Sequence, residues 1–208
     1  MTSVIIVFAK APVAGGAKTR LIPALGAQGA ADLAHKLLDH AVAQALGAGF
    51  DQVVLHVTPD ALHAAFQRLL VQSKGQLQLT WQGDGDLGQR MDRALTRALA
   101  QHDSAILMGT DAPQVTAATL KNAAVALAQH DAVFVPALDG GYALVGLTRP
   151  QPKLFTQMPW STSQVMAESR TRARHAGLRW LELDPVADID EPPDLVHLPA
   201  EWLPSAPY

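Results

Sequence analysis

Three cations, Lys10, Lys18 and Arg20, surround the glycine pair Gly15 and Gly16 in the stretch AKAPVAGGAKTRL, close to the start of the chain. Glycines let backbone N–H groups come close to an anion, and the cations add charge and hydrogen bonds, so the stretch is suited to a phosphate. It matches neither the dinucleotide-binding glycine fingerprint nor the Walker loop. A solvated basic turn is the plain alternative, but a loop directly after a buried first strand favours the phosphate reading, with Lys10, Ala11, Pro12, Gly15, Gly16, Lys18 and Arg20 as its residues.

Carboxylates recur after two later apolar runs. In ILMGTDAP, Asp111 follows a strand and Gly109, on the sheet edge expected to carry the basic loop. A carboxylate facing a phosphate is a natural ligand for a divalent cation that bridges the two; a turn cap is the alternative. In VADIDEP, Asp188 and Asp190 alternate, so an extended segment would turn both to one face. Brought to Asp111, that segment would complete a Mg²⁺ site; alone it reads as an acidic turn.

Two further stretches could hold the rest of a substrate. In WQGDGDLGQRM, glycine-rich chain leads into a helix, so Gln82, Gly83 and Arg90 could meet a base or phosphate, while a strand-to-helix loop with Asp86 as N-cap explains the pattern equally well. In PALDGGYALVGL and PWSTSQV, Asp139, Gly140, Gly141, Tyr142, Trp160, Ser161 and Thr162 combine adjacent glycines with polar and aromatic groups suited to a sugar or small acceptor. Core packing for Trp160 and helix capping for Ser161 are the plain alternatives. The eight histidines show no paired metal-ligand spacing, and the chain has no cysteine and no nucleophile elbow, so covalent hydrolase chemistry has no support.

The elements that must position these residues follow from hydrophobic patterning. Strands are predicted at 4–9, 52–57, 77–81 and 104–108, and helices at 27–47, after Thr58-Pro59, and at 87–100. Beyond these, helix 116–129, strands 132–136 and 142–147, helix 161–177 opened by a Ser/Thr cluster, and strand 178–183 complete the pattern. The alternation predicts an α/β fold with a mostly parallel sheet and right-handed crossovers, and active sites of such sheets lie beyond the carboxyl ends of the strands. The proline-rich tail from Pro192 should wrap the surface.

Composition bounds the partners. The 208 residues suit one domain over 1–208, and a net charge of −3 makes nucleic acid or an anionic membrane an unsuitable partner for the whole molecule. The N-terminus lacks the basic region and cleavage site of a secretory signal, so the protein is expected to be soluble and cytoplasmic. Oligomeric state is not readable from the sequence.

In order, FAKAPVAGGAKTRL, QGDGDLGQRM, GTDAP, DGGYALVGL, PWSTSQV and DIDEPPDL resemble the radical-SAM/selenodomain-associated transferase 1 family. This DUF2064-type family, described as glycosyltransferases linked to arsenosugar biosynthesis, belongs to the nucleotide-diphospho-sugar transferase (GT-A) superfamily. Ala14 and Gly16 depart from its usual loop pattern. The resemblance implies a Rossmann-like GT-A fold, a nucleotide at the first-strand loop, and Mg²⁺ or Mn²⁺ at Asp111 aided by Asp188 and Asp190. More distantly, the chain is similar to molybdenum-cofactor and phospholactate guanylyltransferases.

Two reactions suit such a site. In nucleotidyl transfer, an acceptor phosphate or carboxylate attacks the α-phosphate of an NTP and pyrophosphate leaves. In glycosyl transfer, an acceptor attacks the anomeric carbon of an NDP-sugar. Three cations, with Lys18, Arg20 and Asp111 as the catalytic candidates, suit a triphosphate, and GTDAP carries one acid where sugar-transferring enzymes usually carry a DxD pair. These features favour nucleotidyl transfer, with glycosyl transfer as the alternative and a non-catalytic nucleotide sensor as a remote third.

Overall fold

The computed structural model describes residues 1–202. Its elements run β1 (Ser3–Lys10), α1 (Ile22–Gly47), β2 (Gln52–Thr58), α2 (Ala64–Gln72), β3 (Leu77–Trp81), α3 (Leu87–Leu99), β4 (Ser104–Met108), α4 (Ala117–Ala126), β5 (Ala132–Pro136), β6 (Tyr142–Leu147), α5 (Val165–His175) and β7 (Trp180–Glu182). The strands form one seven-stranded sheet in the order β3-β2-β1-β4-β6-β5-β7. All neighbours are parallel except at β6, which runs antiparallel to both β4 and β5. The predicted α/β class with a mostly parallel sheet therefore holds.

β1 is central because it is apolar on both faces. Ile5 and Val7 face a layer containing Leu38 and Val42 of α1, Phe66 of α2 and Leu120 of α4. Val4, Ile6 and Phe8, offset by one residue, face Met91 and Leu95 of α3 and Met166 of α5. The two-residue period of a strand divides its side chains in this way between two helical layers. Every loop after a parallel strand then emerges at one edge.

Two helix starts differ from the sequence reading, those of α2 and α5. Pro59 does not begin α2: Asp60 Oδ1 accepts the Leu62 N–H at 2.8 Å, and the helix starts only at Ala64, with the His63 ring accepting from Ala65 N at 3.3 Å. A short Asp side chain that bonds two residues ahead holds a turn against helix propagation. Likewise Ser161 does not open α5; Thr162 donates to Pro159 O at 2.7 Å, and the helix begins at Val165. Within α1, Gly26 takes φ 70° and ψ 166°, so the long helix proper follows it, as read from residue 27.

Near the end of the described residues, 3-10 turns at Pro192–His197 and Ala200–Trp202 carry Leu198 into a satellite cluster with Leu33 and Leu37 of α1, with Trp202 packed against it. The expected surface wrap is seen for that part of the tail, and its remainder, 203–208, lies outside the described residues. Among the described residues, no helix is long and apolar enough to cross a membrane.

Candidate active site

The loops after β1 and β4, together with segments from the second half of the chain, enclose a cleft of about 610 Å³. It lies where the sheet topology leads one to expect a ligand, beyond the carboxyl ends of the parallel strands. Of the residues singled out in the sequence, Lys10, Gly16, Lys18, Arg20, Gln82, Arg90, Asp111, Asp139, Gly141, Tyr142, Trp160, Ser161, Thr162, Asp188 and Asp190 line it. Ala11, Pro12, Gly15, Gly83 and Gly140 are not on its wall.

The basic loop turns tightly after β1. Gly16 N and Ala17 N both donate to Val13 O at 2.9 Å, and Lys10 Nζ reaches across the loop to Gly16 O at 2.8 Å. Lys18 then takes a left-handed backbone conformation, φ 47° and ψ 45°, before the 3-10 turn Thr19–Leu21. For a residue with a Cβ this conformation is uncommon and costs energy, and here it turns the Lys18 side chain inward to only 7 % exposure.

What Lys18 meets there is acidic. Its Nζ lies 2.6 Å from Asp111 Oδ1 and 3.9 Å from Asp190 Oδ1, and it donates to Ile189 O at 2.5 Å. Arg20 Nη1 is bound by Asp190 Oδ2 at 2.7 Å, with Glu191 Oε1 at 3.6 Å. The loop after β1 is thereby tied to two acidic stretches that lie far from it in sequence.

A backbone ladder carries the late acidic stretch to this place. Val186 N donates to Pro136 O at 3.0 Å, Leu138 N to Val186 O at 3.0 Å, and Ile189 N to Asp111 O at 2.9 Å. Gln114 Oε1 accepts Ala187 N at 3.0 Å. Residues 186–189 therefore lie between the turn after β5 and the loop after β4. Ile189 is fully buried against Leu21 and Leu37, and its neighbours Asp188 and Asp190 both face the cleft, as the alternation implied.

The carboxylates are crowded. Burial, first of all, and then the charges of Asp111, Asp139 and Asp190 push the Asp188 carboxyl up to about 7, with Lys18 acting in the opposite direction. Among the described residues, no group of three His, Asp or Glu side chains forms a preassembled metal cage. Arg20 engages Asp190 and Lys18 engages one oxygen of Asp111, while Asp188 and Asp139 have no ion pair among the described residues.

The opposite wall is aromatic. The Tyr142 and Trp160 rings meet edge to face with centroids 6.2 Å apart, and Phe134 backs Tyr142 at 5.6 Å. Asp139 Oδ1 accepts Gly141 N at 2.8 Å, which folds the turn between β5 and β6. Gly140 supports that turn from behind: it has φ 92°, a Cβ there would overlap the Ser163 carbonyl, and its own carbonyl accepts Met166 N at 2.8 Å.

In the QGDGD stretch the strand-to-helix reading with Asp86 as N-cap holds. Asp86 caps α3 in a reciprocal capping box with Gln89. Gln82 is buried, and its amide donates to His56 O at 2.8 Å and to Ala9 O at 3.4 Å, which fixes the carboxamide at the cleft floor. Sequence reading missed Phe8, Leu87 and Met91 on the cleft wall and Glu191 beside Arg20. Alternation along β1 puts Phe8 on the α3 face and could have found it; Glu191 needed only the extra acid in DIDE to be counted.

The sequence matches the profile of a family described as "Uncharacterized protein conserved in bacteria (DUF2064)" over residues 41–162. No curated protein gives a significant match. Among solved structures, the chain is similar to a Desulfovibrio desulfuricans G20 protein provisionally described as a nucleotide-diphospho-sugar transferase. Identity is 28%, the TM-score is 0.83, and the match covers 92% of this chain and 84% of that one. A nucleotidyl transfer enzyme from Methanothermobacter thermautotroptrophicus shares the fold at 15% identity and TM-score 0.62, covering 97% of each chain. So does a Mycobacterium tuberculosis H37Rv protein in complex with manganese, at 20% identity and TM-score 0.52, covering 94% of this chain and 97% of that one.

Proposed function

This chain belongs to the DUF2064 family, and from that premise we propose that it is a divalent-metal-dependent transferase that takes a nucleotide substrate. The leading reaction is nucleotidyl transfer from an NTP to a small phosphorylated or carboxylate acceptor. The observation that carries this reading is the contact of Lys18 Nζ with Asp111 Oδ1 at 2.6 Å, within a cleft that also holds Lys10, Arg20 and Asp188. Cations able to hold a phosphate tail thus adjoin carboxylates able to hold a metal.

The donor set fits Mg²⁺ or Mn²⁺. Hard carboxylate oxygens suit these ions, and Mg²⁺ commonly takes one or two carboxylates plus phosphate oxygens and water instead of a full protein cage. The Lys18 ammonium already lies against Asp111 as a cation of the protein's own. Asp111 and Asp188 would hold the metal, and when bound it offsets the negative charge that develops on the phosphates.

The chain's own groups account for the rest. Lys10, Lys18 and Arg20 bind the triphosphate tail and stabilise departing pyrophosphate by charge-assisted hydrogen bonds. Gln82, held by β1 and β2 backbone, presents a fixed surface for the base. As an acceptor oxygen bonds to the α-phosphorus, the bond from that phosphorus to the bridging oxygen breaks, and pyrophosphate leaves with the electron pair. Tyr142, Trp160 and the Asp139 turn hold the acceptor and limit water.

Glycosyl transfer from an NDP-sugar is the second reading. The likeness at 28% identity to a protein provisionally described as a nucleotide-diphospho-sugar transferase favours it, as does an aromatic wall suited to a sugar. A screen of NTPs and NDP-sugars with Mg²⁺, by thermal shift and then product assay, separates the two. Pyrophosphate release supports the first; free NDP on adding an acceptor, with no NTP turnover, reverses the order.

A further inference from the structure

Four cations line the cleft, and among the described residues three have partners. Lys10 bonds Gly16 O, Lys18 bonds Asp111 and Arg20 bonds Asp190. Arg90, the fourth residue of α3, has none: its Nε is buried without a hydrogen-bond partner, and no ion pair among the described residues includes it. Arg90 as a whole is half-buried, but a buried guanidinium N–H with nothing to receive it is costly unless a ligand supplies an acceptor.

Its position separates it from the phosphate loop. The loop leads into α1, on the sheet face of Ile5 and Val7. α3 packs on the other face, where Met91 joins Phe8 and Phe155, with Tyr142 and Trp160 packed against them. The Trp160 indole lies directly over Gly88, two residues before Arg90, where a Cβ would meet its Nε1 at 2.8 Å. On this side the cleft wall thus includes a cation without a partner together with the aromatic and apolar residues Leu87, Met91, Tyr142 and Trp160.

We propose that Arg90 anchors an oxyanion of the acceptor, whose apolar or ring body lies against Tyr142 and Trp160. Arg90 thus belongs to the acceptor subsite and not to the nucleotide phosphates. The recognised chemistry is a carboxylate or phosphate next to a ring or short apolar body. The planar guanidinium suits both oxyanions, by paired N–H donors. That the oxyanion belongs to an acceptor rests on the transferase reading above; the oxyanion site itself does not.

Phenyl phosphate, benzoate and, as a neutral control, benzyl alcohol are titrated into the full-length protein, with binding followed by calorimetry. The titrations are done with and without a saturating nucleotide and Mg²⁺. Either anionic probe should bind, tighter than benzyl alcohol by about tenfold or more, and Arg90→Met should remove that preference while Arg90→Lys keeps part of it. Comparing phenyl phosphate with benzoate tells which oxyanion the site prefers. Binding should survive Lys18→Ala and saturation with nucleotide.

Unchanged probe affinity in Arg90→Met, with far-UV circular dichroism matching the wild type, overturns the proposal. So does probe binding that is lost in Lys18→Ala or displaced by nucleotide, since the anion would then lie at the phosphate loop. Absence of any nucleotide-driven stabilisation defeats the transferase reading instead and leaves the Arg90 titration readable without nucleotide.

Discussion

Lys18 Nζ and Asp111 Oδ1 lie 2.6 Å apart, which joins the loop after β1 to the loop after β4 across the carboxyl edge of the sheet. Lys18 is 93 residues before Asp111 in the chain, and the parallel pairing of β1 with β4 brings the two loops together. With its side chain only 7 % exposed, the lysine neutralises the carboxylates from within. A metal bound at Asp111 would compete with this contact and free the ammonium for phosphate.

Lys18→Met should therefore have two separable effects. The protein without ligands should lose about 1–2 kcal/mol of stability, less than a fully buried pair would lose, because the Asp111 side chain is 44 % exposed. Urea titration measures this loss. Thermal stabilisation by NTP with Mg²⁺ should fall to near zero in the same variant; full retention would remove Lys18 from the phosphate site.

Asp111→Asn keeps the shape of the side chain and removes its charge. Nucleotide-driven stabilisation should then become insensitive to Mg²⁺ and Mn²⁺, and turnover should fall by on the order of 100-fold. Thermal shift with and without a chelator checks the binding half. Wild-type protein that is stabilised equally by nucleotide in excess chelator would show that no bridging metal is needed.

His56 should make stability pH-dependent in one direction. It is 6 % exposed, its Nδ1 lies 2.6 Å from Thr80 Oγ1, and burial, followed by the charges of Arg97 and Arg93, lowers its pKa from 6.5 to about 4. Between these values the unfolded chain binds a proton that the native state refuses, so its contribution is lost as pH falls from about 6.5 to about 4. The raised Asp188 acts with the opposite slope over much of that range, so the measurement is a difference between variants. Wild type minus His56→Gln should lose on the order of 2 kcal/mol from pH 7 to pH 4 in urea titrations. A flat difference would mean His56 titrates normally.

Gly140→Ala should damage the acceptor side without touching the phosphate side. The residue has φ 92° and its added Cβ would overlap the Ser163 carbonyl, so the turn or the segment from Trp160 to Gln164 must shift. A loss of about 2–4 kcal/mol is expected. Nucleotide should still stabilise the variant, and the acceptor KM should rise. Unchanged stability would show that the turn relaxes freely.

Much of this was legible because the strands announce themselves. Continuous apolar runs at 104–108, 132–136 and 142–147 coincide with β4, β5 and β6, since a strand covered on both faces has no polar alternation to blur its ends, while the alternating 77–81 coincides with the edge strand β3. The starts of α2 and α5 were not legible. Local side-chain bonds from Asp60 and Thr162 decide them, and the same residue types serve helix caps and turns alike. Asp188 and Asp190 were readable as a pair sharing one face, but their destination was not. That depends on hydrogen bonds from Val186 to Pro136 and from Ile189 to Asp111, which no local pattern encodes.

The amino-acid sequence by itself determined the parts: a basic glycine loop after the first strand, acids after later strands, and an alternation that makes loops after parallel strands share an edge. Only the tertiary structure decided the pairing, in which Lys18 turns inward to Asp111 and Asp190 while Arg20 takes Asp190 and Arg90 is left without a partner. Chain direction and side-chain period are local properties, fixed by backbone geometry. Which charge meets which depends on how two helical layers close over the sheet.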